Sequence, residues 1–409
     1  MRLHHSDSTT VHVAYCTNVH PAETLDGITA QLAEYCEPVR QHLGADLIGL
    51  GLWLPSDVAA HLATHPEAVA ALRRDMTSRG LETVTLNGFP YRGFHAPVVK
   101  RGVYYPDWSE PSRLTYTLNL ARVLAGLLPD DAARGSISTL PLAWRTSWTG
   151  VQRSAAARHL DALAAGLKQI EAETGRVVRV GLEPEPGCVA ETTAQAAEAI
   201  AGADHDWIGL CLDVCHLAVQ HEDPAGAIAA LLTAGVPVVK LQASSALVAD
   251  HPSDPEVREA LRPFAEPRFL HQTRERSADG TLHGSDDLAP ALAGALPGEA
   301  PWRIHYHVPL HDQPEPPLRN TSDVLQETLR VAFGGERALT DHIEVETYTW
   351  DVLPKGLRPA GPATVAAGIA TELEWTQQEL TGLGLRPHEG PYERARDIPP
   401  QGPYEGAPS

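Results

Sequence analysis

Two glutamates stand two residues apart in GLEPEPG (181–187), just behind the apolar run VVRV (177–180). Side chains at i and i+2 of a strand share a face, so Glu183 and Glu185 would repel unless something positive lies near them. Pro184 between them is poorly tolerated in a central strand and marks its end. Later apolar runs end in the same kind of residue. LDVCH holds Asp213 and His216, KLQAS holds Gln242, RIHYHV holds His305 and His307 on one face, and IEVETY holds Glu344 and Glu346, again two apart. Carboxylates joined by an imidazole or an amide oxygen suit a divalent cation, and such an ion would relieve the repulsion. Each residue also has a plainer reading. A strand-end Glu is commonly solvated or ion-paired, Asp-x-x-His caps a helix, and HYH fits a wet edge strand. Their ordered succession along the strands favours the metal.

A set of strands must position these groups. Candidates cover 12–18, 47–54, 82–88, 135–142, 177–183, 208–213, 236–242, 303–310 and 342–349, separated by helical patterns such as 25–43, 112–128 and 155–175. Alternating strands and helices predict parallel pairing, and near-continuous apolar strands fit burial on both faces. Polar residues at strand C-terminal ends along the whole chain, rather than at one switch point, predict a (β/α)8 TIM barrel, an α/β fold whose site gathers at that face. Nine candidates are one too many, so either 303–310 or 342–349 closes the barrel. Residues 243–302 read as an insertion after the seventh strand, with a hairpin at 268–274. One barrel domain is expected over 1–385. Beyond it the apolar periodicity stops, proline and glycine dominate, and GPYE occurs at 390–393 and 402–405. Residues 386–409 therefore read as a flexible tail.

Composition narrows the partners. A net charge of −20 with 32 basic residues argues against a nucleic-acid backbone as partner. No apolar run reaches membrane-spanning length, and MRLHHSDSTT lacks the apolar stretch of a secretory signal. Five scattered cysteines without a CxxC pair point to reduced thiols and a cytoplasmic protein. The long aromatic loop 88–108, with Lys100 and Arg101, reads as a lid or substrate wall. Trp53 and Trp144, at or just past strand ends, are candidates to stack on a sugar-like ring, with core packing as the competing reading.

LEPEPG, CLDVCH, KLQ and VETYT together resemble the xylose isomerase-like superfamily of TIM barrels, which includes sugar isomerases, ketose 3-epimerases, inosose dehydratases and endonuclease IV. The resemblance spans roughly residues 12–380 and is strongest at strands five, six and the last. It implies one divalent ion (Mn2+, Mg2+, Co2+ or Zn2+) held by Glu183, Asp213, Gln242 and Glu346, with His305 as the alternative to Gln242. Glu183 is preferred to Glu185 as the first residue after the apolar strand, with Gly187 four residues on. Glu346 is preferred to Glu344 because Glu-Thr follows the apolar run, nearer the mouth. The resemblance further implies an isomerase or epimerase of a small sugar or cyclitol, phosphorylated or not. Glu183 and Glu346 would be its acid/base pair, His216 would steer a substrate hydroxyl, and His305 and His307 would face the site. KLQASSAL, FLHQTR, HYHVPLH and EVETYTWDVLP are similar, more narrowly, to the "metabolite traffic" proteins of bacterial gene clusters, a label without chemistry. Three alternatives stand beside this reading. An inosose-type dehydratase starts with the same proton abstraction. An endonuclease IV-like hydrolase needs histidines on strands two and three, where this chain has GLWLP and LNGFP. A metabolite carrier would keep the barrel without catalysis. A homo-oligomer remains compatible with all of these.

Overall fold

The computed structural model describes residues 1–388; the GPYE repeats, and with them all but the first three residues of the expected tail, lie outside the described residues. Eight strands run parallel: β1 (Thr10–Cys16), β2 (Ile48–Trp53), β3 (Leu81–Asn87), β4 (Gly135–Thr139), β5 (Val178–Leu182), β6 (Ile208–Asp213), β7 (Val238–Ala243) and β8 (His342–Val345). Each pairs with the next, and β8 pairs with β7 on one side and β1 on the other, His342 opposite His12. The barrel is closed. Helices Pro111–Leu127 and Gly150–Thr174 fall where periodicity predicts them, and 25–43 is helical throughout with a π turn at Leu32–Cys36.

The closing strand is 342–345, so the candidate at 303–310 is not a barrel strand. Trp302–Ile304 belongs instead to a second, five-stranded antiparallel sheet, with Leu247–Ala249, Thr273–Arg276, Leu282–Ser285 and Leu318–Asn320. That sheet lies between β7 and β8 in the chain and extends past 302 to residue 320. Its hairpin pairs Thr273–Arg276 with Leu282–Ser285, later than 268–274. The two ends of the excursion meet beside the barrel, where Thr321 N donates to Ala246 O at 3.1 Å. After Ile304 the chain leaves the sheet, and Val308 N donates to Ser245 O at 3.0 Å. Residues 305–310 thus cross above β7 as non-strand backbone. Arg386 and Pro387, read as the first residues of the tail, pair with His4 and Leu3.

The barrel interior is polar, where branched apolar side chains usually fill it. Lys240, Gln242 and Glu344 are fully buried there, and Lys240 Nζ donates to Glu344. Gly51 makes the room, since a Cβ at that position would come within 1.3 Å of Glu344 Oε1. Glu344 and Glu346 share a face of β8 and its continuation, as their spacing requires, but Glu344 lies one rung deeper.

Candidate active site

A cavity sits at the C-terminal ends of the strands. Glu183, Glu185, His216, His305, His307 and Glu346 form its floor, none more than 5% exposed. Glu183 follows β5, its backbone N held by Thr139 O at 2.9 Å, and Glu346 follows β8, held by Ala243 O at 3.0 Å. Asp213 ends β6. One oxygen from each of Glu183, Asp213 and Glu346 lies within 4.8 Å of the others.

Asp213 divides its work between two oxygens. Oδ1 accepts from His216 N at 3.0 Å and from Ser244 Oγ at 2.7 Å, capping the helix Val214–Val219. The capping reading therefore holds for one oxygen, and Oδ2 has no partner. Glu183 Oε2 is unpaired as well. Glu346 Oε1 accepts from Asn18 and Asn87, each at 2.8 Å, and its Oε2 from Gln242. Burial first, then the charges of Glu346, Asp213 and Glu185, push the Glu183 carboxyl well above the usual range. Burial first, then Asp213 and Glu344, do the same to Glu346.

The three histidines of the floor are oriented alike. His216 Nδ1 bonds Pro184 O at 2.9 Å and His307 Nδ1 bonds Glu346 O at 2.7 Å. A carbonyl only accepts, so both Nδ1 atoms carry the hydrogen and both Nε2 atoms are bare. His305 Nδ1 faces Gln272 Oε1 at 2.8 Å, and the Gln272 amide is oriented by donating to Glu185 Oε1 and Pro186 O. Its Nε2 is bare by the same logic and stands 3.1 Å from His216 Nε2. Burial lowers all three pKa values, that of His216 to about 4, so the rings stay neutral. His307 Nε2 is unpaired and 4.0 Å from Asp213 Oδ2.

Three buried polar atoms without partners, Glu183 Oε2, Asp213 Oδ2 and His307 Nε2, therefore belong to one constellation. Such atoms are costly unless something satisfies them. Carboxylate oxygens with an imidazole nitrogen, its other nitrogen fixed by a carbonyl, are the donor set a divalent ion takes. Gln242 is fully buried beneath this group, its Oε1 accepting from Cys211 Sγ at 2.7 Å. With its amide turned over, Oε1 would face Glu346, an arrangement that needs a cation between them. His305 sits with Glu185 and His216 rather than with the three carboxylates.

Other expected residues fall in different places. Lys100 lines the cavity but is tied to Asp287 and to Phe269 O. Trp53 stands behind Phe94, ring centroids 5.9 Å apart, its Nε1 donating to Pro90 O. Trp144 packs on Tyr104 at 4.9 Å, and Gly187 accommodates it, because a Cβ there would meet its ring at 2.2 Å. Neither tryptophan lines the cavity. Glu185 does line it, accepting from Tyr104 OH at 2.6 Å, and burial pushes its carboxyl up to about 8. Asn18 and Asn87 stand at the ends of the first and third strands, where the rule applied to the later strands would find them. Tyr104, Gln272 and Tyr348 sit on loops and carry no local sequence signal.

Similar solved structures include an L-ribulose 3-epimerase at 14% identity and TM-score 0.49, covering 94% of this chain and 97% of that one. An IOLI protein with a bound zinc atom has 13% identity and TM-score 0.45, covering 91% and 99%. The 3-keto-D-glucoside 4-epimerase of E. coli has 13% identity and TM-score 0.44, covering 90% and 99%. No curated protein matches the sequence. Residues 39–259, more than half of the 409, match the family described as xylose isomerase-like TIM barrel. With its closed parallel barrel and strand-end acids, the chain belongs to the xylose isomerase-like TIM barrel family.

Proposed function

We propose that the protein is a divalent-metal-dependent isomerase or epimerase of a sugar or cyclitol, working through Glu183 and Glu346. The observation that carries this reading is the cluster of Glu183, Asp213 and Glu346, with unpaired oxygens on two of them. These three would hold the ion, with Gln242 or His307 completing the set, and Mn2+, Mg2+, Co2+ and Zn2+ all accept such ligands. A divalent ion there supplies Lewis-acid polarisation of a carbonyl.

The chain's own residues position the substrate and move the proton. β5 and β8 are separated by two strands, so Glu183 and Glu346 reach a bound molecule from different directions. Glu183 takes a proton from the carbon beside the carbonyl, and Glu346 returns one at the opposite face. The Asn18 and Asn87 amides keep Glu346 in place. The hydrogen-free Nε2 atoms of His216 and His305 accept from substrate hydroxyls, as does that of His307 where Gln242 completes the metal set. An inosose-type dehydration begins with the same abstraction and is told apart by loss of water from the product. Five buried, unpaired cysteines support placing the protein in a reducing compartment, the cytoplasm.

Protein purified without chelator should carry one equivalent of divalent metal, lowered in Glu183→Gln and Asp213→Asn. Equal metal in all three removes the site. In heavy water, with a ketose or an inosose, deuterium should enter the carbon beside the carbonyl. That exchange should vanish in Glu183→Gln and Glu346→Gln assayed at saturating metal. Turnover with full retention of the original hydrogen counts against the proton route.

A further inference from the structure

We infer that this site selects an uncharged, hydroxyl-rich molecule carrying an apolar substituent of about phenyl size, and rejects phosphorylated or carboxylated sugars. The inference deepens the function proposed above and rests on it. It is carried by which atoms the cavity offers and which are already engaged.

The floor consists of acceptors. Glu183 Oε2 and Asp213 Oδ2, both unpaired, would face the ion. The acceptors left to a ligand are His307 Nε2, where Gln242 completes the metal set, and the hydrogen-free Nε2 atoms of His216 and His305, 3.1 Å apart, the latter 3.5 Å from the Tyr348 hydroxyl. The neighbouring donors are committed elsewhere. The Asn18 and Asn87 amides donate to Glu346 Oε1, the Tyr104 hydroxyl to Glu185, and the Gln272 amide to Glu185, the Tyr104 oxygen and Pro186 O. A hydroxyl can donate into such a floor, whereas a phosphate dianion or a carboxylate has no hydrogen to give.

Charge points the same way. Lys100 is the one Lys or Arg side chain lining the cavity among the described residues. Its ammonium bonds Phe269 O at 2.6 Å, Asp287 Oδ2 at 2.7 Å and Glu266 O at 3.4 Å, which occupies all three hydrogens. Arg101, Arg145 and Arg268, around the rim, are paired with Asp286, Glu191 and Asp351. Among the described residues, no unpaired Lys or Arg side chain lines the cavity to meet an anionic substituent.

One wall is aromatic and meets the floor at Tyr348, whose ring lies 4.7 Å from that of His307. Phe94, Phe269 and Tyr348 come from the loop after β3, the inserted segment and the loop after β8, and their ring centroids lie 5.0–5.4 Å apart. All three line the cavity, with Phe89, Val103 and Leu270 beside them. An acceptor floor adjoining an aromatic wall fits a polyol head joined to an apolar group.

The test is calorimetry on the full chain loaded with Mn2+, using five probes: D-fructose, its 1- and 6-phosphates, and its 1- and 6-O-benzyl ethers. One benzyl ether should bind about tenfold more tightly than fructose, and both phosphates about tenfold more weakly. Phe94→Ala should shrink the benzyl gain, and Lys100→Gln should leave the order of affinities as it is. Four results would overturn the inference: a phosphate binding as well as fructose, phosphate binding that depends on Lys100, no gain from either ether, or no binding of any probe. Metal content and deuterium exchange, measured on the same preparation, report separately on the catalytic reading. The order of affinities can fail while both of those succeed.

Discussion

Asp213 serves structure with one oxygen and the candidate centre with the other, and substitutions can separate the two. Asp213→Asn keeps an oxygen for His216 N and Ser244 Oγ, so the cap survives, and it removes one charge from a crowded group. The metal-free variant should melt at or above the metal-free wild type, yet lose the rise in melting temperature that added Mn2+ produces. Asp213→Ala loses the cap too and should be about 1 kcal/mol less stable than Asp213→Asn by urea unfolding. At Gly51 the constraint is steric. With a Cβ 1.3 Å from Glu344 Oε1, Gly51→Ala displaces a fully buried ion pair and should cost about 3 kcal/mol or more. A soluble Gly51→Ala protein with the wild-type unfolding midpoint would contradict that placement of Glu344.

Among the elements, helix Pro362–Gly382 is tied to the loops over the barrel by a single carboxylate. Glu372 accepts from Leu310 N at 3.0 Å, Thr347 Oγ1 at 2.6 Å and Trp350 Nε1 at 3.3 Å. Burial nonetheless raises its pKa from 4.5 to about 7, the donors pulling the other way. Between those pH values the unfolded chain has released the proton and the folded one retains it, so stability falls as pH rises. Above about pH 7 both states are ionised and the loss, about 3 kcal/mol, stays constant. Glu372→Gln cannot ionise. Urea unfolding at pH 5 and pH 8 should show the variant losing about 2.5 kcal/mol less than the wild type over that interval. Equal losses would mean that the carboxyl is ionised throughout. The inserted sheet contributes differently: it brings His305, His307 and Phe269 over strands to which they are not adjacent in sequence.

The whole molecule carries a net charge of −20, and its candidate centre is acidic as well. Such a field attracts cations and is indifferent to a neutral ligand. In stopped flow, the association rate of Mn2+ with metal-free protein should fall by about tenfold from low salt to about 0.5 M NaCl, while fructose affinity hardly moves. Equal salt dependence for both would contradict the charge argument.

At this scale the division between sequence and tertiary structure is plain. Near-continuous apolar runs alternating with helical patterns sufficed for the barrel, because both patterns are local and a parallel barrel turns every strand C-terminus to one face. Hence Glu183, Asp213, His216 and Glu346 could be picked out as strand-end residues, and Asn18 and Asn87 satisfy the same rule. Local pattern could not decide between 303–310 and 342–349, since both alternate. Only the pairing of β8 with β1 and β7 did so. The end of the apolar run did place Glu346 nearer the mouth than Glu344, but the partner that holds Glu344 in the interior, Lys240 on the neighbouring strand, came only from the fold. The aromatic wall and the histidine tautomers came from the tertiary structure alone. Phe94, Phe269 and Tyr348 meet from distant segments, and the hydrogens on His216 and His307 are fixed by the carbonyls of Pro184 and Glu346, which the fold brings to them.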